Sequence, residues 1–267
     1  MIRDITIGQY YPAQSKVHSL DPRTKIITSF IYIISLFIST GFNGYLATVV
    51  FLAGVITVSK VPFRFIVKGL KSIIIIIILT VSINIFFTPG VTVIFKLGGA
   101  QITLEGLIIA SRMVLRLVLL IIGSSLLTLT TSPISLTDGI EALLKPLEKI
   151  KVPAHEIAMM MTIALRFIPI LLEETDKIMK AQTARGADFE KGGIITRARN
   201  LIPLLVPLFI SSFRRAEELA VAMEARCYRG GEGRTKLNVL EYKAGDLICY
   251  LIFILYLCVL ISIRFLG

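Results

Sequence analysis

Two copies of one short motif hold the residues best suited to recognise a charged partner. The copies are Ala181-Gln182-Thr183-Ala184-Arg185-Gly186 and Ala222-Met223-Glu224-Ala225-Arg226-Cys227, and we call them the arginine motifs. Each copy closes a long glycine-free segment of strong helix formers, so each arginine is predicted to lie in the last turn of a helix. A guanidinium there complements the helix dipole and points past the tip, where it can form a charge-assisted hydrogen bond with a carboxylate.

Either motif alone has a simpler interpretation, because a basic residue in the last turn is a common feature of helices. The repetition favours a more specific one. Two similar arginine tips, 41 residues apart in one chain, indicate a part that contacts two equivalent pockets at once.

The composition is that of a polytopic membrane protein. Of the 267 residues, 55% are hydrophobic, and the mean hydropathy of +0.80 is too high for a soluble domain of this size. The net charge is +11, and residues 131–243 hold 31 of the 47 charged side chains in a nearly balanced mixture. Basic residues dominate the few charges elsewhere, as the positive-inside rule predicts, so the net charge does not require a nucleic-acid partner.

Five apolar runs are predicted to cross the bilayer, and they cover residues 26–39, 45–58, 73–87, 104–130 and 244–263. Basic residues before the first run and after the second place both of those ends in the cytoplasm. The predicted N-terminus is therefore cytoplasmic and the C-terminus external. Alternating apolar and polar residues in 91–103, around Gly98-Gly99, predict a small external β-hairpin.

The charged region between the fourth and fifth runs is predicted to be a cytoplasmic module of one short and two long helices. Thr137 and Asp138 could cap the short helix, which would extend to Lys149. Each long segment has an apolar first half, Ala158–Leu172 or Leu201–Phe213, that is too short to span a bilayer. We expect both first halves to lie at the membrane and both charged second halves to extend into the cytoplasm. The predicted domains are 1–130, 131–242 and 243–267.

No catalytic, cofactor or metal site is predicted. The glycine-rich stretch 230–235 lacks the lysine and the preceding strand of a P-loop, so the chain is not expected to bind ATP by that motif. His18 and His155 are isolated, and the three cysteines lack the spacing of metal ligands.

Arg112 and Arg116 lie one helical turn apart in the fourth apolar run and allow a different function. An arginine inside a membrane is costly and usually faces protein or water, so the pair could bind a solute in a stand-alone permease. The structural alternative, which we favour, is that the two side chains extend outward or anchor the external hairpin. A membrane enzyme would need a convergent polar cluster, for which only Asn84 could join these arginines.

The chain resembles the transmembrane T component of energy-coupling factor (ECF) transporters, which are modular ABC-type importers of vitamins and related micronutrients. The resemblance covers essentially the whole chain and rests on Asp21-Pro22-Arg23-Thr24-Lys25, Ala164-Leu165-Arg166-Phe167-Ile168-Pro169 and the arginine motifs. The second motif has Cys227 where the family usually has glycine, which argues against a need for a positive φ angle there. The stretch Gly231-Glu232-Gly233-Arg234-Thr235-Lys236 resembles the subgroup that serves several S components.

The resemblance implies a coupling scaffold in a prokaryotic plasma membrane, without catalysis of its own. Its partners would be two cytoplasmic ABC ATPase subunits, the bilayer, and one or more S components that carry the substrate. The residues expected to dock the ATPases are Ala184, Arg185, Gly186, Ala225, Arg226 and Cys227. The residues expected to contact the S component are Met160, Leu165, Ile168, Leu205, Leu208 and Phe209.

Overall fold

The structure is a computed structural model, which describes residues 10–39, 41–71, 73–90, 92–97, 100–187, 189, 193–231 and 239–266. It divides into two compact units. The larger unit consists of Gly8–Leu143 and Leu240–Gly267, and most of the smaller one lies within Leu144–Val239. The functional boundaries at 130/131 and 242/243 stay a prediction, since these units are defined by packing alone.

The larger unit is a helical bundle with one short strand pair. Its elements are α1 (Pro22–Ile38), α2 (Gly41–Ser59), α3 (Phe63–Lys71), α4 (Ile74–Phe87), β1 (Val93–Leu97), β2 (Ala100–Thr103), α5 (Leu104–Thr130), α6 (Pro133–Leu144) and α9 (Ala244–Leu266). The smaller unit contains a 3₁₀ helix (Lys145–Ile150), α7 (Ala154–Ala184) and α8 (Ile194–Ala225).

Four helices in the described part of the chain are long and apolar enough to cross a bilayer, namely α2, α5, α7 and α9. The bent pair of α3 and α4 would provide a fifth if it forms one span. These findings confirm the predicted all-α polytopic membrane fold. Two helices differ from the predicted spans. α1 has only 17 residues and is not among the four, whereas α7, whose apolar first half was expected to be too short, contains a stretch apolar enough to cross a bilayer.

The strand pair confirms the predicted β-hairpin. β1 and β2 are antiparallel, and their register pairs Val93 with Thr103 and Leu97 with Ala100. Thr103 also caps α5, because its hydroxyl oxygen accepts a 3.1 Å hydrogen bond from the backbone N–H of Gly106. The hairpin therefore leads directly into the long fourth span, and its external location stays a prediction.

The start of α1 is held by a buried polar network. Asp21 caps the helix as predicted, accepting a 2.8 Å hydrogen bond from the backbone N–H of Arg23. Asp246 at the start of α9 accepts a 2.9 Å hydrogen bond from the backbone N–H of Asp21. Lys25 donates to the carbonyl of Thr130 at the end of α5, at 3.0 Å. The Asp-Pro-Arg-Thr-Lys stretch thus joins three helices of the bundle.

The ionised form of Asp21 is favoured by this network. Burial by itself would raise the pKa of the carboxyl group. The hydrogen bonds and charge of Arg23, together with the charge of Lys25, outweigh burial and lower the pKa below its ordinary value. The Arg23 guanidinium contacts Asp21 at 2.8 Å and also donates to the carbonyl of Leu240, so the ion pair is firmly held.

Tyrosines connect the four central helices of the bundle. The Tyr32 hydroxyl on α1 donates a 3.1 Å hydrogen bond to the Leu119 carbonyl on α5. The Tyr256 hydroxyl on α9 shares hydrogen bonds with Ser35 on α1 and Thr48 on α2, at 3.1 and 3.2 Å. The ring of Tyr32 lies so close to Gly123 that a Cβ there would overlap it. Helices α1 and α5 therefore fit each other in shape at this contact, in addition to the hydrogen bond between them.

The short helix α6 begins earlier than predicted. Pro133 is its first residue, and the Ser132 hydroxyl accepts a 3.1 Å hydrogen bond from the N–H of Ser135, so Ser132 is the cap. Thr137 lies inside the helix and donates to the carbonyl of Pro133 instead. The prediction that Thr137 and Asp138 cap this helix was wrong, because a serine followed by proline is the stronger start signal.

Candidate functional site

Both arginines of the motifs occupy the same position in the structure, immediately after the last residue of a long helix. Arg185 follows α7 with φ −87° and ψ 5°, and Arg226 follows α8 with φ −92° and ψ 12°. The two helices have 31 and 32 residues. The predicted helix ends are therefore confirmed to within one residue, and the two arginine motifs have matching backbone conformations.

The residue after each arginine has a left-handed backbone conformation. Gly186 has φ +91° and Cys227 has φ +56°. The N–H of Ala187 donates to the Gln182 carbonyl, and the N–H of Tyr228 donates to the Met223 carbonyl, each at 3.0 Å. This is the Schellman ending, in which a residue with positive φ lets the chain close back on the last turn.

Cys227 corrects one expectation. Its departure from glycine argues against a positive φ angle at this position, yet the structure has φ +56° there. A side chain in the left-handed region is less stable than glycine by roughly 1–2 kcal/mol. The second tip keeps its shape in spite of this disadvantage, so the hydrogen bonds of the ending outweigh it.

The tips are open to a partner. Every residue predicted to dock an ATPase is exposed, and these residues are Ala184, Arg185, Gly186, Ala225, Arg226 and Cys227. No other described side chain forms a hydrogen bond or an ion pair with the guanidinium group of Arg185 or Arg226. Each guanidinium thus keeps its donors available for an acceptor outside the described chain.

The two long helices run past each other in opposite directions. Glu174 near the middle of α7 accepts a 2.9 Å hydrogen bond from the guanidinium of Arg215 on α8. Nearer the end of α7, the Gln182 amide approaches the Pro203 carbonyl on α8 at 3.5 Å. A higher residue number on α7 is thus matched by a lower one on α8, as in an antiparallel helical hairpin.

This direction corrects the expected orientation of the two helices. We predicted that both apolar first halves lie at the membrane and that both charged second halves extend into the cytoplasm, which requires the two helices to run the same way. In the structure the second half of α7 lies beside the first half of α8. The short connection between Ala184 and Ile194 turns the chain back, which makes an antiparallel pair the natural outcome. The two arginine tips consequently lie at opposite ends of the pair.

The contact between α7 and α8 joins equivalent positions of the two helices. Glu174 lies eleven residues before Arg185, and Arg215 lies eleven residues before Arg226. A direct contact between equivalent residues is the signature of a two-fold relation. Eleven residues of helix correspond to roughly 16 Å, so both tips lie about that far along their helices from the contact.

The first halves of the two helices expose apolar side chains. Of the six residues predicted to contact an S component, Leu165 and Leu208 are half-buried, and Met160, Ile168, Leu205 and Phe209 are exposed. Phe209 has 61% of its surface accessible. Apolar surface of this extent is typical of a face that is covered by lipid or by another protein.

Arg112 and Arg116 lie in different surroundings. Arg116 donates a 3.0 Å hydrogen bond to the hydroxyl of Tyr45, and its guanidinium carbon lies 5.4 Å from the centre of the Phe37 ring. Arg112 is exposed, and the Asn84 amide donates to the Thr80 carbonyl of its own helix. Arg116 thus ties α5 to α2, which fits the structural interpretation of this pair. Within the described residues, no group of three or more His, Cys, Asp or Glu could hold a metal ion.

Comparison with known proteins identifies the family. Residues 13–237 match the family model described as "CbiQ: Cobalt transport protein". The chain is 61% identical over 265 residues to the energy-coupling factor transporter transmembrane protein EcfT of Clostridium kluyveri, covering 99% of this chain and 98% of that protein. The proteins of the same name from Thermosediminibacter oceani and Bacillus subtilis are 56% and 51% identical over 250 and 246 residues. Those matches cover 94% and 92% of this chain, and 94% and 93% of the two relatives.

These matches span nearly the whole chain and include both arginine motifs, and the apolar helices agree with a multi-pass protein of the plasma membrane. The chain therefore belongs to the CbiQ/EcfT family, and it is the transmembrane T component of an energy-coupling factor transporter.

Proposed function

We propose that this chain transmits the ATP-driven motion of two cytoplasmic ATPases to a substrate-binding S component, and that it has no catalytic activity of its own. The observation that carries this proposal is the two-fold relation between the arginine tips, whose helices meet at the equivalent residues Glu174 and Arg215. Two homologous ATPases that pair about a two-fold axis offer two similar grooves. A part with two similar tips at its opposite ends matches such a pair.

Each tip supplies a charged group that no described side chain of the protein pairs with. Arg185 and Arg226 are exposed at helix ends with matching backbone, so either can enter an acidic groove in the same orientation. A charge-assisted hydrogen bond of this kind gives directional contact, and truncating one buried partner commonly costs about 2–5 kcal/mol. The helices behind the tips are continuous, so a displacement of a tip would be carried along the whole helix.

The apolar first halves of α7 and α8, which lie toward opposite ends of the antiparallel pair, supply the second interface. Their exposed side chains, which include Met160, Ile168, Leu205 and Phe209, are the surface that we expect the S component to cover. This proposal extends the family assignment, since the comparisons name the transporter and not the partner chains. The vitamin or other micronutrient that is carried would be selected by the S component.

We further propose a cytoplasmic N-terminus, an external C-terminus, a cytoplasmic location for residues 131–243 and an external one for 89–103. Lys60, Arg64, Lys68 and Lys71 support this orientation through the positive-inside rule. In a cysteine-free background, a Thr92→Cys chain should react with a membrane-impermeant thiol reagent added outside cells, and a Gly193→Cys chain should not. The opposite pattern would reverse the topology.

The docking proposal is tested with the double variant Arg185→Ala/Arg226→Ala. We expect it to insert normally but to lose both ATPases when the complex is purified from membranes. The matched control is Lys177→Ala/Arg214→Ala, which removes two exposed basic residues near the contact between Glu174 and Arg215, away from both tips. Retention of both ATPases and full uptake by the tip variant would refute the proposal. Two equivalent docking sites also require that Arg185→Ala and Arg226→Ala, made singly, have similar effects.

A further inference from the structure

The larger unit contains a cavity of about 750 Å³ that the transporter assignment does not explain. It lies between the segment that precedes α1 and the end of α2. The residues that line it are Ala13, Gln14, Ser15, Lys16, His18, Ser19, Thr57, Val58 and Lys60. None of these described lining residues is acidic, and two of them are lysines. The cavity is therefore suited to an anion.

The positive charge of the cavity comes from Lys16 and Lys60. The His18 ring is engaged on both sides, by a 2.7 Å hydrogen bond with the Ser15 hydroxyl and a 3.0 Å hydrogen bond to the Tyr11 carbonyl. Burial lowers the pKa of His18 and outweighs the hydrogen bond to the Tyr11 carbonyl, which acts in the opposite direction, so the protonated ring is disfavoured. His18 is thus held in place by its two hydrogen bonds, and the ammonium groups of the two lysines are the donors available to an anionic ligand. The hydroxyl groups of Ser15, Ser19 and Thr57 already form hydrogen bonds with His18 Nδ1, the Lys16 carbonyl and the Gly54 carbonyl.

The backbone of Lys60 adopts an unfavourable conformation at this position. Lys60 follows the last residue of α2 with φ +56°, a conformation that glycine adopts more easily than lysine. Its backbone N–H still donates to the Thr57 carbonyl, at 3.4 Å, which closes the helix. A charged side chain at a strained helix end beside a cavity is the kind of local conflict that a binding role explains.

The neighbouring helix indicates that the cavity lies at the depth of the lipid headgroups. α3 begins three residues after Lys60, and it buries Ile66 in the bundle. It exposes apolar Phe63 (63%) and Phe65 (45%) together with three basic residues, Arg64, Lys68 and Lys71. A helix with exposed aromatic rings and a basic face is typical of the membrane–water interface. Val58, which lines the cavity, is also exposed, so an apolar surface adjoins the charged opening.

We propose that this cavity binds the phosphate group of an anionic phospholipid, with Lys16 and Lys60 as the cationic contacts. The hydroxyl groups of Ser19 and Thr57 donate to the carbonyls of Lys16 and Gly54, so the two ammonium groups supply the hydrogen bonds to the phosphate oxygens. The acyl chains would follow the exposed apolar side chains beyond Val58. The two lysines would bind the phosphate group of a lipid and a free phosphate ion equally well, because the two share the same chemistry. The adjoining apolar surface favours the lipid as the source. The site does not depend on the ATPase docking proposed above.

The test measures lipid retention by the purified full-length transporter complex. The complex is exchanged into detergent micelles that contain equal amounts of phosphatidylglycerol and phosphatidylcholine, and the retained lipids are counted by native mass spectrometry. We expect preferential retention of phosphatidylglycerol. The Lys16→Gln/Lys60→Gln variant should lose this preference by on the order of 30-fold, since each lysine near an anionic lipid contributes roughly a factor of five. The matched control is Lys145→Gln/Lys149→Gln, which removes two exposed lysines from the 3₁₀ helix and should retain the preference.

Three outcomes would overturn the proposal. The first is an unchanged preference in Lys16→Gln/Lys60→Gln, and the second is an equal loss in the control variant. The third is displacement of the lipid by glycerol 1-phosphate at an equal concentration, because that would make a free phosphate ester the ligand. If the double variant fails to fold, Lys16→Gln alone should still reduce the preference by roughly fivefold. The variant Arg185→Ala/Arg226→Ala should keep its lipid while losing its ATPases, so the two proposals fail separately.

Discussion

Glu174 and Arg215 form a 2.9 Å ion pair between α7 and α8, and each lies eleven residues before the arginine that ends its own helix. The positions are equivalent, but the charges are opposite. Glu173-Glu174 on the first helix correspond to Arg214-Arg215 on the second. A contact between equivalent positions can therefore be attractive, which it could not be if the two halves carried the same charge.

The first prediction concerns this ion pair. Reversing one charge with Glu174→Arg should place two cations together, lower the stability of the helix pair and reduce uptake. The double variant Glu174→Arg/Arg215→Glu should recover most of both losses. The two side chains are 27% and 35% exposed, so solvent screening limits the coupling to about 0.5–1 kcal/mol. A double-mutant cycle on thermal unfolding of the purified complex measures it.

A matched control for the cycle is the exposed pair of Arg214 and Glu218, whose side chains approach at 3.7 Å within one helix. Its charge swap should show a coupling near zero, because the side chains are 81% and 68% exposed and solvent screens the pair. Absence of recovery in Glu174→Arg/Arg215→Glu, with coupling no larger than the control, would mean that the pair does not hold the two helices in register.

The second prediction concerns the two helix endings. Gly186→Ala puts a side chain at φ +91° and should destabilise the first tip by roughly 1 kcal/mol or more. Cys227→Gly should be neutral or mildly stabilising, since glycine relieves the strain at φ +56° but loses more entropy on folding. The readouts are the thermal midpoint of the complex and the amount of ATPase that copurifies. Equal destabilisation by both changes would contradict the assignment of a left-handed ending to each tip.

The second arginine motif shows how much of the structure could be predicted from the sequence. The repeated motif predicted two helix ends with arginines, and both ends are where it placed them. The expectation for the φ angle of Cys227 was wrong. The hydrogen bonds that Cys227 and Tyr228 donate back to the last turn impose a positive φ angle on this residue. The residue type alone does not predict a capping pattern of this kind, because cysteine has no preference for a positive φ angle.

The direction of the long helices could not be deduced from their composition. Apolar first halves and charged second halves allow a parallel or an antiparallel pair, and the choice depends on which side chains meet across the interface. Glu174 and Arg215 carry a readable signal, because opposite charges stand at equivalent positions of the two copies. Asp246 gave no such signal, since its hydrogen bond with the backbone of Asp21 joins residues 225 positions apart.

The third prediction tests the contact between Tyr32 and Gly123. Gly123→Ala adds a Cβ that overlaps the tyrosine ring, and overpacking of this kind typically costs about 1–3 kcal/mol. Thermal unfolding of the purified complex should show the loss. Tyr32→Leu in the same chain should relieve it in part, whereas Tyr32→Phe should not, because the overlap is with the ring and not with the hydroxyl group. A fully stable Gly123→Ala variant would show that the helices separate more easily than their packing implies.

The fourth prediction concerns the pH dependence of the joint at α1. The pKa of Asp21 is lowered in the folded chain, so the carboxylate stabilises the fold above the ordinary pKa of an aspartate, about 4. This stability is lost as the pH falls through the lower folded value. Asp21→Asn should destabilise the complex at pH 7 by roughly 1–3 kcal/mol, because Arg23 and the helix start lose a charged acceptor. It should also weaken the acid dependence of stability.

The matched control for Asp21→Asn is Asp176→Asn in α7, which makes the same substitution outside the α1 network and should leave the stability at pH 7 unchanged. Thermal midpoints between pH 3 and pH 7 separate the two variants. An acid dependence that is the same in wild type and Asp21→Asn would show that other groups dominate it and that the lowered pKa of Asp21 has little thermodynamic weight.

The last prediction separates the two interfaces of the long helices, and the antiparallel arrangement decides which residue to change. Leu205 is a poor choice, because it lies two residues from Pro203, which contacts Gln182 close to the first arginine tip. Phe209 is better placed, since it is 61% exposed and lies further from that contact. Phe209→Asp should release the S component and leave both ATPases bound. Burying one phenylalanine is worth about 1.5–3 kcal/mol, which corresponds to roughly a 10- to 100-fold loss of affinity.

The matched control for Phe209→Asp is Ile150→Asp, which puts the same charge on an exposed apolar residue of the 3₁₀ helix and should release neither partner. Purification of each variant complex, followed by quantification of the S component and the ATPases, distinguishes the outcomes. Loss of the ATPases with retention of the S component would mean that the two interfaces are assigned the wrong way round. Retention of every partner with normal uptake would mean that this face of α8 contacts only lipid.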